Sequence, residues 1–157
     1  MKMLAIKRLV LVALVGLFPF GAAADQQFSL GLGMPYGSFL GGKYSLSWDR
    51  LKIYAGAGFL GKSHDSSAKF GYNLGFEYVI VGSKHSLGAA YGTVTHSSVF
   101  DALFGPSISY TYYFSGFDNR SWLLGLSVYS GKDEAYYRRF KYRETEEGFR
   151  VIAGFQF

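Results

Sequence analysis

The sequence predicts an all-β protein: an eight-stranded antiparallel up-and-down transmembrane β-barrel that follows a cleaved signal peptide. Three observations support this fold class. The chain opens with an export signal, its later segments place apolar side chains at every second position, and polar or Gly-rich breaks separate those segments. The composition agrees, because 13 Tyr and 15 Phe favour strands and 21 Gly favour turns and kinks.

Residues 1–24 have the three parts of a secretory signal. Basic residues come first, then an apolar run, then small residues: Lys2, Lys7 and Arg8, Leu9–Phe20, and Ala22–Ala24. The uncharged stretch 9–24 is shorter than the roughly 20 residues of a membrane-spanning helix, which argues against a transmembrane anchor. Cleavage is expected after Ala24, and it would leave residues 25–157 as one barrel domain in the outer membrane.

The charge and the cysteine content exclude several function classes. Loss of the signal would remove three basic residues and no acidic residue, so the formal charge would fall from +5 to +2. Nucleic-acid binding is therefore not predicted for the exported chain. The absence of cysteine excludes disulfides and thiolate chemistry. His64 and His85 have no partners at ligand spacing, so neither a metal site nor a cofactor is predicted.

The strands are predicted from apolar side chains that recur at every second position. Positions 70 to 80 carry Phe, Tyr, Leu, Phe, Tyr and Ile at even numbers, whereas 71 to 77 carry Gly, Asn, Gly and Glu at odd numbers. Eight such segments are predicted: Gln26–Met34, Phe39–Trp48, Lys52–Leu60, Lys69–Ile80, His85–His96, Pro106–Phe114, Trp122–Ser130 and Gly148–Phe157. Closure is expected because a lipid bilayer cannot satisfy the hydrogen bonds of an open sheet edge. The alternative is a soluble β-sandwich, but such a sandwich needs no aromatic rims.

The lengths of the connections predict the orientation. If both termini lie on the periplasmic side, the breaks at Asp49–Arg50, Gly82–Lys84 and Gly116–Ser121 form short inner turns. The outer loops are then Pro35–Ser38, Gly61–Ala68, Ser97–Gly105 and the long Gly131–Glu147. Short inner turns and longer outer loops are typical of outer-membrane barrels.

The last segment carries a family resemblance. Gly148–Phe157 alternates in polarity and ends on Phe157, with a second aromatic residue at Phe155. Over residues 25–157 the chain resembles the small eight-stranded outer-membrane barrels of the OmpX/Ail and OmpA-transmembrane type. The resemblance implies that Phe155 and Phe157 form the signal read by the barrel-assembly machinery. The chain departs from the usual pattern in having Ile152 where such proteins carry Gly.

The inward positions are mostly Gly and Ser, with a few large groups among them. Lys43 and Glu77 face inward at similar heights and are predicted to form an ion pair. This pair could be an internal polar plug, or a gate or proton path of a narrow carrier or channel. The glycines are expected to allow tight coiling of the strands, and replacing Gly31 by Ala is expected to disrupt the barrel less than replacing Leu74 by Arg does.

One pair of residues suggests an enzyme. His96 and Ser98 resemble the His-x-Ser pair of outer-membrane lipid A deacylases of the PagL type, which would imply acyl transfer by an activated serine. The pair lies in an early strand, and the following strand Pro106–Phe114 has no acidic residue to orient the histidine. The alternative is a polar His and Ser at the base of a loop.

The longest loop is the most unusual segment. It interleaves cations with aromatic rings, and its predicted partner-binding residues are Tyr136, Tyr137, Arg138, Arg139, Lys141, Tyr142 and Arg143. These residues could bind phosphates of lipopolysaccharide or another anionic ligand outside the cell, or they could simply extend the last two strands. The sequence therefore favours a non-enzymatic surface barrel, for envelope maintenance or binding, over a lipid A hydrolase or a carrier.

Overall fold

The structure is a computed structural model that describes residues 24–62, 68–96, 102–132 and 145–157. Its elements are eight strands and one short 3-10 helix, η1: β1 (Asp25–Gly33), η1 (Met34–Tyr36), β2 (Ser38–Trp48), β3 (Leu51–Lys62), β4 (Ala68–Val81), β5 (His85–His96), β6 (Ala102–Tyr113), β7 (Ser121–Lys132) and β8 (Thr145–Gln156). The prediction of an all-β chain with eight strands is confirmed.

The sheet closes on itself. Each strand pairs antiparallel with the next one along the chain, and β1 pairs with β8, where Gly31 lies opposite Gly154. The strands therefore form a closed up-and-down barrel, as the alternation predicted. Closure leaves neither β1 nor β8 as a full-length open edge, which is how a barrel satisfies its backbone groups.

The two ends of the barrel differ. The terminal end holds the start of β1, the end of β8 and the short turns at 49–50, 82–84 and 114–120. The loop end holds η1 and the strand ends that flank residues 63–67, 97–101 and 133–144, which lie outside the described residues. Two strands start at least three residues earlier than predicted at this end, β6 at Ala102 and β8 at Thr145. Residues 102–105 and 145–147, which were predicted to lie in loops, belong to these strands.

The connection between β1 and β2 is not the outer loop that the sequence predicted. Pro35–Ser38 was expected to be an outer loop, but Met34, Pro35 and Tyr36 are all buried within the barrel. Gly33 and Gly37 have φ angles of +104° and +79°, which direct the chain into the lumen and back out. A side chain rarely adopts these angles, so glycine is required on both sides of η1.

The polarity of the barrel is the reverse of that of a soluble protein. Among the described residues, 26 large hydrophobic side chains are exposed, including Leu74 at 62% and Trp122 at 66%. The buried side chains comprise 16 polar or charged residues and only ten hydrophobic ones. The described part of the barrel therefore has an apolar outer wall around a largely polar interior.

Candidate functional site

The described part of the lumen contains a buried ion pair. Lys43 extends from β2 and Glu77 from β4, and their Nζ and Oε1 atoms lie 2.8 Å apart with each side chain 1% exposed. The other carboxylate oxygen of Glu77 accepts hydrogen bonds from the hydroxyls of Tyr113 and Ser86. The Lys43 ammonium also lies 5.0 Å from the ring centroid of Tyr54. The two residues that the sequence suggested as an inward pair are therefore in direct contact, within a shell of hydroxyl groups and rings.

A second lysine closes the terminal end, and sequence reasoning missed it. Lys52 Nζ donates hydrogen bonds to the Phe117 carbonyl at 2.7 Å and to Gln156 Oε1 at 2.9 Å. The amide of Gln156 in turn donates to the carbonyls of Phe117 and Asn119, each at 2.8 Å. Lys52 also lies 3.8 Å from the centroid of the Phe117 ring. The alternation did contain a signal, because Ile53 points outward and its neighbour Lys52 must then point inward.

These contacts hold the β6–β7 turn inside the barrel. Phe117 is 1% exposed and packs edge-on against Tyr113 with ring centroids 5.2 Å apart. Ser47 Oγ donates to Asp118 Oδ1 at 2.5 Å, which fixes the turn to β2. The turn thus covers the terminal end of the lumen.

The helix η1 occupies the lumen from the loop end. Tyr36 is fully buried beside the ion pair, with Lys43 Nζ 5.6 Å from its ring centroid. Asn73 donates from Nδ2 to the Met34 carbonyl at 2.6 Å and to the Thr93 carbonyl at 3.0 Å. Met34 packs with Val94 and Leu103 in an apolar cluster. The lumen is therefore filled from both ends.

The inward glycines make room for η1. An added Cβ would meet the Pro35 carbonyl at Gly56, the Tyr36 carbonyl at Gly58, and both the Tyr36 ring and the Ala153 carbonyl at Gly31. At Gly31 even one added methyl group would collide with the Tyr36 ring of η1. Close approach of a second chain segment explains these glycines better than coiling of the strands does.

Replacing Gly41 by Ala tests this packing. Its Cβ would meet backbone oxygens of Tyr36 and Ala57, whereas a Cβ on the adjacent Gly42 would meet only the movable side chains of Phe28 and Leu30. We expect Gly41→Ala to lower the free energy of unfolding by about 1–3 kcal/mol, and Gly42→Ala to change it by about 0.5 kcal/mol or less. Urea unfolding in detergent, followed by tryptophan fluorescence, measures both. Equal midpoints for the two variants would show that η1 does not press on the wall at Gly41.

The arrangement has a clear chemical meaning. Lys43, Lys52 and Glu77 are buried and each is held by partners from other elements. A buried ion pair is stabilised when hydrogen-bonding partners surround it. In the described part of the lumen these charges are therefore held within a packed polar network.

Several predicted site residues cannot be placed. His96 ends β5, with its backbone opposite Ala102, while Ser98 lies outside the described residues. The loop residues predicted to bind a partner, 136–143, lie outside them as well. The hydrolase pair and the binding loop therefore stay predictions. In the described ranges no three His, Asp or Glu side chains lie close enough together to hold a metal ion.

The aromatic residues at the carboxyl end form part of the outer wall. Phe155 stacks edge-on against both Trp122 and Phe157, with ring centroids 5.0 Å apart in each case. The backbone N–H of Phe157 donates to the Phe28 carbonyl at 2.8 Å, so the last residue closes the barrel against β1.

His85, which the sequence left without a partner, contacts the Tyr110 hydroxyl through Nδ1 at 2.6 Å.

No protein-family model, curated protein or solved structure matches the chain. Among the residues that the structure describes, no helix is long and apolar enough to cross a membrane.

Proposed function

We propose that this chain is an outer-membrane β-barrel protein of the small eight-stranded type, without enzymatic activity, whose loops act at the cell surface. The observation that carries this proposal is the apolar wall around a lumen with charged residues. Exposed apolar surface on this scale has no role in a monomer surrounded by water. In a bilayer, the same surface is solvated by lipid chains.

The distribution of exposed charge supports the same proposal. Of the side chains that the structure describes, the exposed charged ones all lie in turns or at strand ends: Asp25, Asp49, Arg50, Lys84, Asp118, Arg120, Lys132, Glu146 and Glu147. The wall between them presents an uncharged band. Charges at both borders and none at the centre fit a bilayer, whose core disfavours charge and whose headgroups accept it. The export signal predicted at residues 1–24 is consistent with this location.

Heat modifiability of the refolded protein tests the proposal. After refolding in detergent, the unboiled protein is expected to migrate differently from the boiled protein on a gel, because a closed barrel has no edge from which to unfold. In planar bilayers the same sample is expected to show no steady open-pore steps, because η1 and the β6–β7 turn occupy the lumen. Identical migration would contradict a stable barrel, and reproducible large steps would contradict a plugged one.

The surface role is assigned to the loop between β7 and β8. The residues at its two ends, Gly131–Lys132 and Thr145–Glu147, are paired across the two strands, so the strand-extension alternative holds for these end residues. The cationic and aromatic segment 136–143 between them is the best candidate for binding phosphates of lipopolysaccharide or an anionic polymer, since Arg forms bidentate hydrogen bonds to phosphate and sulfate.

Removing the four cations of this loop is expected to weaken binding without unfolding the barrel. The variant replaces Arg138, Arg139, Lys141 and Arg143 by Ser. Binding of the parent to lipopolysaccharide or heparin should decrease as salt rises, and the variant should bind less at low salt. Unchanged heat modifiability serves as the control for folding. Equal binding by variant and parent at every salt concentration would show that the segment has no recognition role.

A further inference from the structure

A crevice interrupts the outer wall near the loop end, where β6, β7 and β8 lie side by side. It has a volume of about 440 Å³, and its lining includes Pro106, Ile108, Val128, Ser130 and Glu147. The β6–β7 ladder has no paired residue at Gly105 or Pro106, and proline lacks the N–H that would continue it. The crevice therefore lies where the sheet has lost part of its pairing.

The crevice changes from apolar to polar along its length. Ile108 and Val128 are 61% and 56% exposed, and they pair directly across β6 and β7. Farther toward the loop end on the same outer face, Ser130 of β7 lies opposite Glu147 of β8. From Val128 to Ser130 the strand rises roughly 7 Å, at about 3.3 Å per residue. A chain that lies in the crevice would therefore pass from polar to apolar contacts within a few bonds of its attachment point.

The polar end of the crevice favours a hydrogen-bond donor without negative charge. Within the described ranges, neither the Ser130 hydroxyl nor the Glu147 carboxylate forms a hydrogen bond or an ion pair with another side chain. An ionised carboxylate can only accept hydrogen bonds, and it would repel a phosphate placed beside it. The group that contacts Glu147 therefore carries an N–H or an O–H.

The position of the crevice indicates which lipid could supply such a group. Its strands β7 and β8 carry the loop whose segment 136–143 is proposed to bind phosphates of lipopolysaccharide. The proposed function therefore places lipopolysaccharide around this end of the barrel. Its amide-linked acyl chains carry a hydroxyl group a few bonds from the amide N–H, so each such chain begins with two uncharged donors and continues as hydrocarbon.

We propose that the crevice binds one hydroxylated, amide-linked acyl chain of lipopolysaccharide. The chain hydroxyl donates to Glu147, the amide N–H donates to Ser130 Oγ, and the hydrocarbon lies over Pro106, Ile108 and Val128. This inference rests on the proposed surface location, and it extends the proposed binding of phosphates by the loop to the chain below them. The hydrogen bond to the carboxylate is charge-assisted and supplies the selectivity.

Quenching of a tryptophan reporter by lipids with brominated chains tests the site. In a Trp48→Phe, Trp122→Phe background, Leu126→Trp places a reporter on the outer face of β7 beside the crevice, and Leu74→Trp places a matched reporter on β4. Both proteins are refolded into phosphatidylcholine vesicles that contain a monosaccharide precursor of lipid A, either with its chain hydroxyls or in a form that lacks only these. At the β7 reporter the hydroxylated form is expected to bind about three- to tenfold more tightly, the effect of one hydrogen bond at a partly exposed site. At the β4 reporter the two forms should quench equally.

Two further variants assign the selectivity to a residue. Glu147→Leu should abolish the preference for the hydroxylated form, whereas Glu146→Leu, which removes the neighbouring acid outside the crevice, should retain it. Equal quenching by both forms at the β7 reporter, or a preference that survives Glu147→Leu, would overturn the chain site. The membrane location and the role of the loop would then stand, because both forms carry the same phosphate. Absence of quenching by either form at either reporter would overturn the membrane location, and the chain site with it.

Discussion

Replacing Glu77 by Leu is expected to destabilise the barrel by about 3–5 kcal/mol, the cost of removing one partner from a buried ion pair. The Lys43 ammonium would lose the carboxylate that lies 2.8 Å away, and it is too deeply buried for water to replace it. The hydroxyls of Tyr113 and Ser86 would lose the same acceptor. Urea unfolding of the protein refolded in detergent measures the effect as a shift in midpoint.

The double variant Lys43→Met, Glu77→Leu tests whether Glu77→Leu loses stability because it leaves a buried charge unpaired or because it changes the volume of the side chain. Apolar residues of similar size often replace a buried pair without loss of stability, so the double variant should regain most of what the single variant loses. Glu146→Gln, which changes an exposed acid, should shift the free energy of unfolding by about 0.5 kcal/mol or less. A Glu77→Leu protein that unfolds at the parent's urea concentration would show that the pair contributes nothing to stability.

The wall of the barrel could be predicted from the sequence because it depends on a local rule. A side chain in a strand of a barrel points either outward or into the lumen, and the direction alternates at every residue. Phe70, Tyr72 and Leu74 are exposed while Asn73 is buried, as the pattern required. The same rule placed Lys43 and Glu77 on the inner face. Their contact then followed from the small number of charged side chains available there.

The two inserted turns could not be predicted in the same way. Pro35 and Tyr36 follow Gly33 and Met34 in what looks like an ordinary turn, and Phe117 lies among turn residues with no alternation around it. Whether a turn folds inward depends on the space that distant strands leave. Gly41, Gly56 and Gly58 leave that space for η1, but their sequence positions do not show what fills it.

The alternation of β3 predicts the direction of the Lys52 side chain but not the groups that it contacts. Its inward direction follows from the alternation of β3, but its partners come from the β6–β7 turn and from Gln156, more than 60 residues away in sequence. The residues next to Lys52 in sequence give no indication of these neutral acceptors. The polar character of the lumen was therefore predictable, whereas the network that closes its terminal end was not.

Replacing Leu74 by Arg is expected to reduce stability in a lipid bilayer by about 2–4 kcal/mol, because it places a charge near the midplane. Leu74 lies in the middle of β4 with 62% of its surface exposed, so the new side chain would have no lumen to enter. Leu51 is the matched control, since it is also exposed but begins β3 directly after the turn at the terminal end. There an arginine reaches the headgroups, and Leu51→Arg should cost about 0–1 kcal/mol.

The difference in stability between Leu74→Arg and Leu51→Arg shows whether lipid or water surrounds the barrel wall. Both substitutions add the same charge to an exposed apolar position, so their intrinsic strand preferences largely cancel. In lipid vesicles, urea unfolding should separate the two midpoints, because the energy of a charge depends on its depth in the bilayer. On a barrel surrounded by water, arginine would be solvated equally well at both positions. Coincident midpoints for Leu74→Arg and Leu51→Arg would therefore mean that this apolar wall does not face lipid.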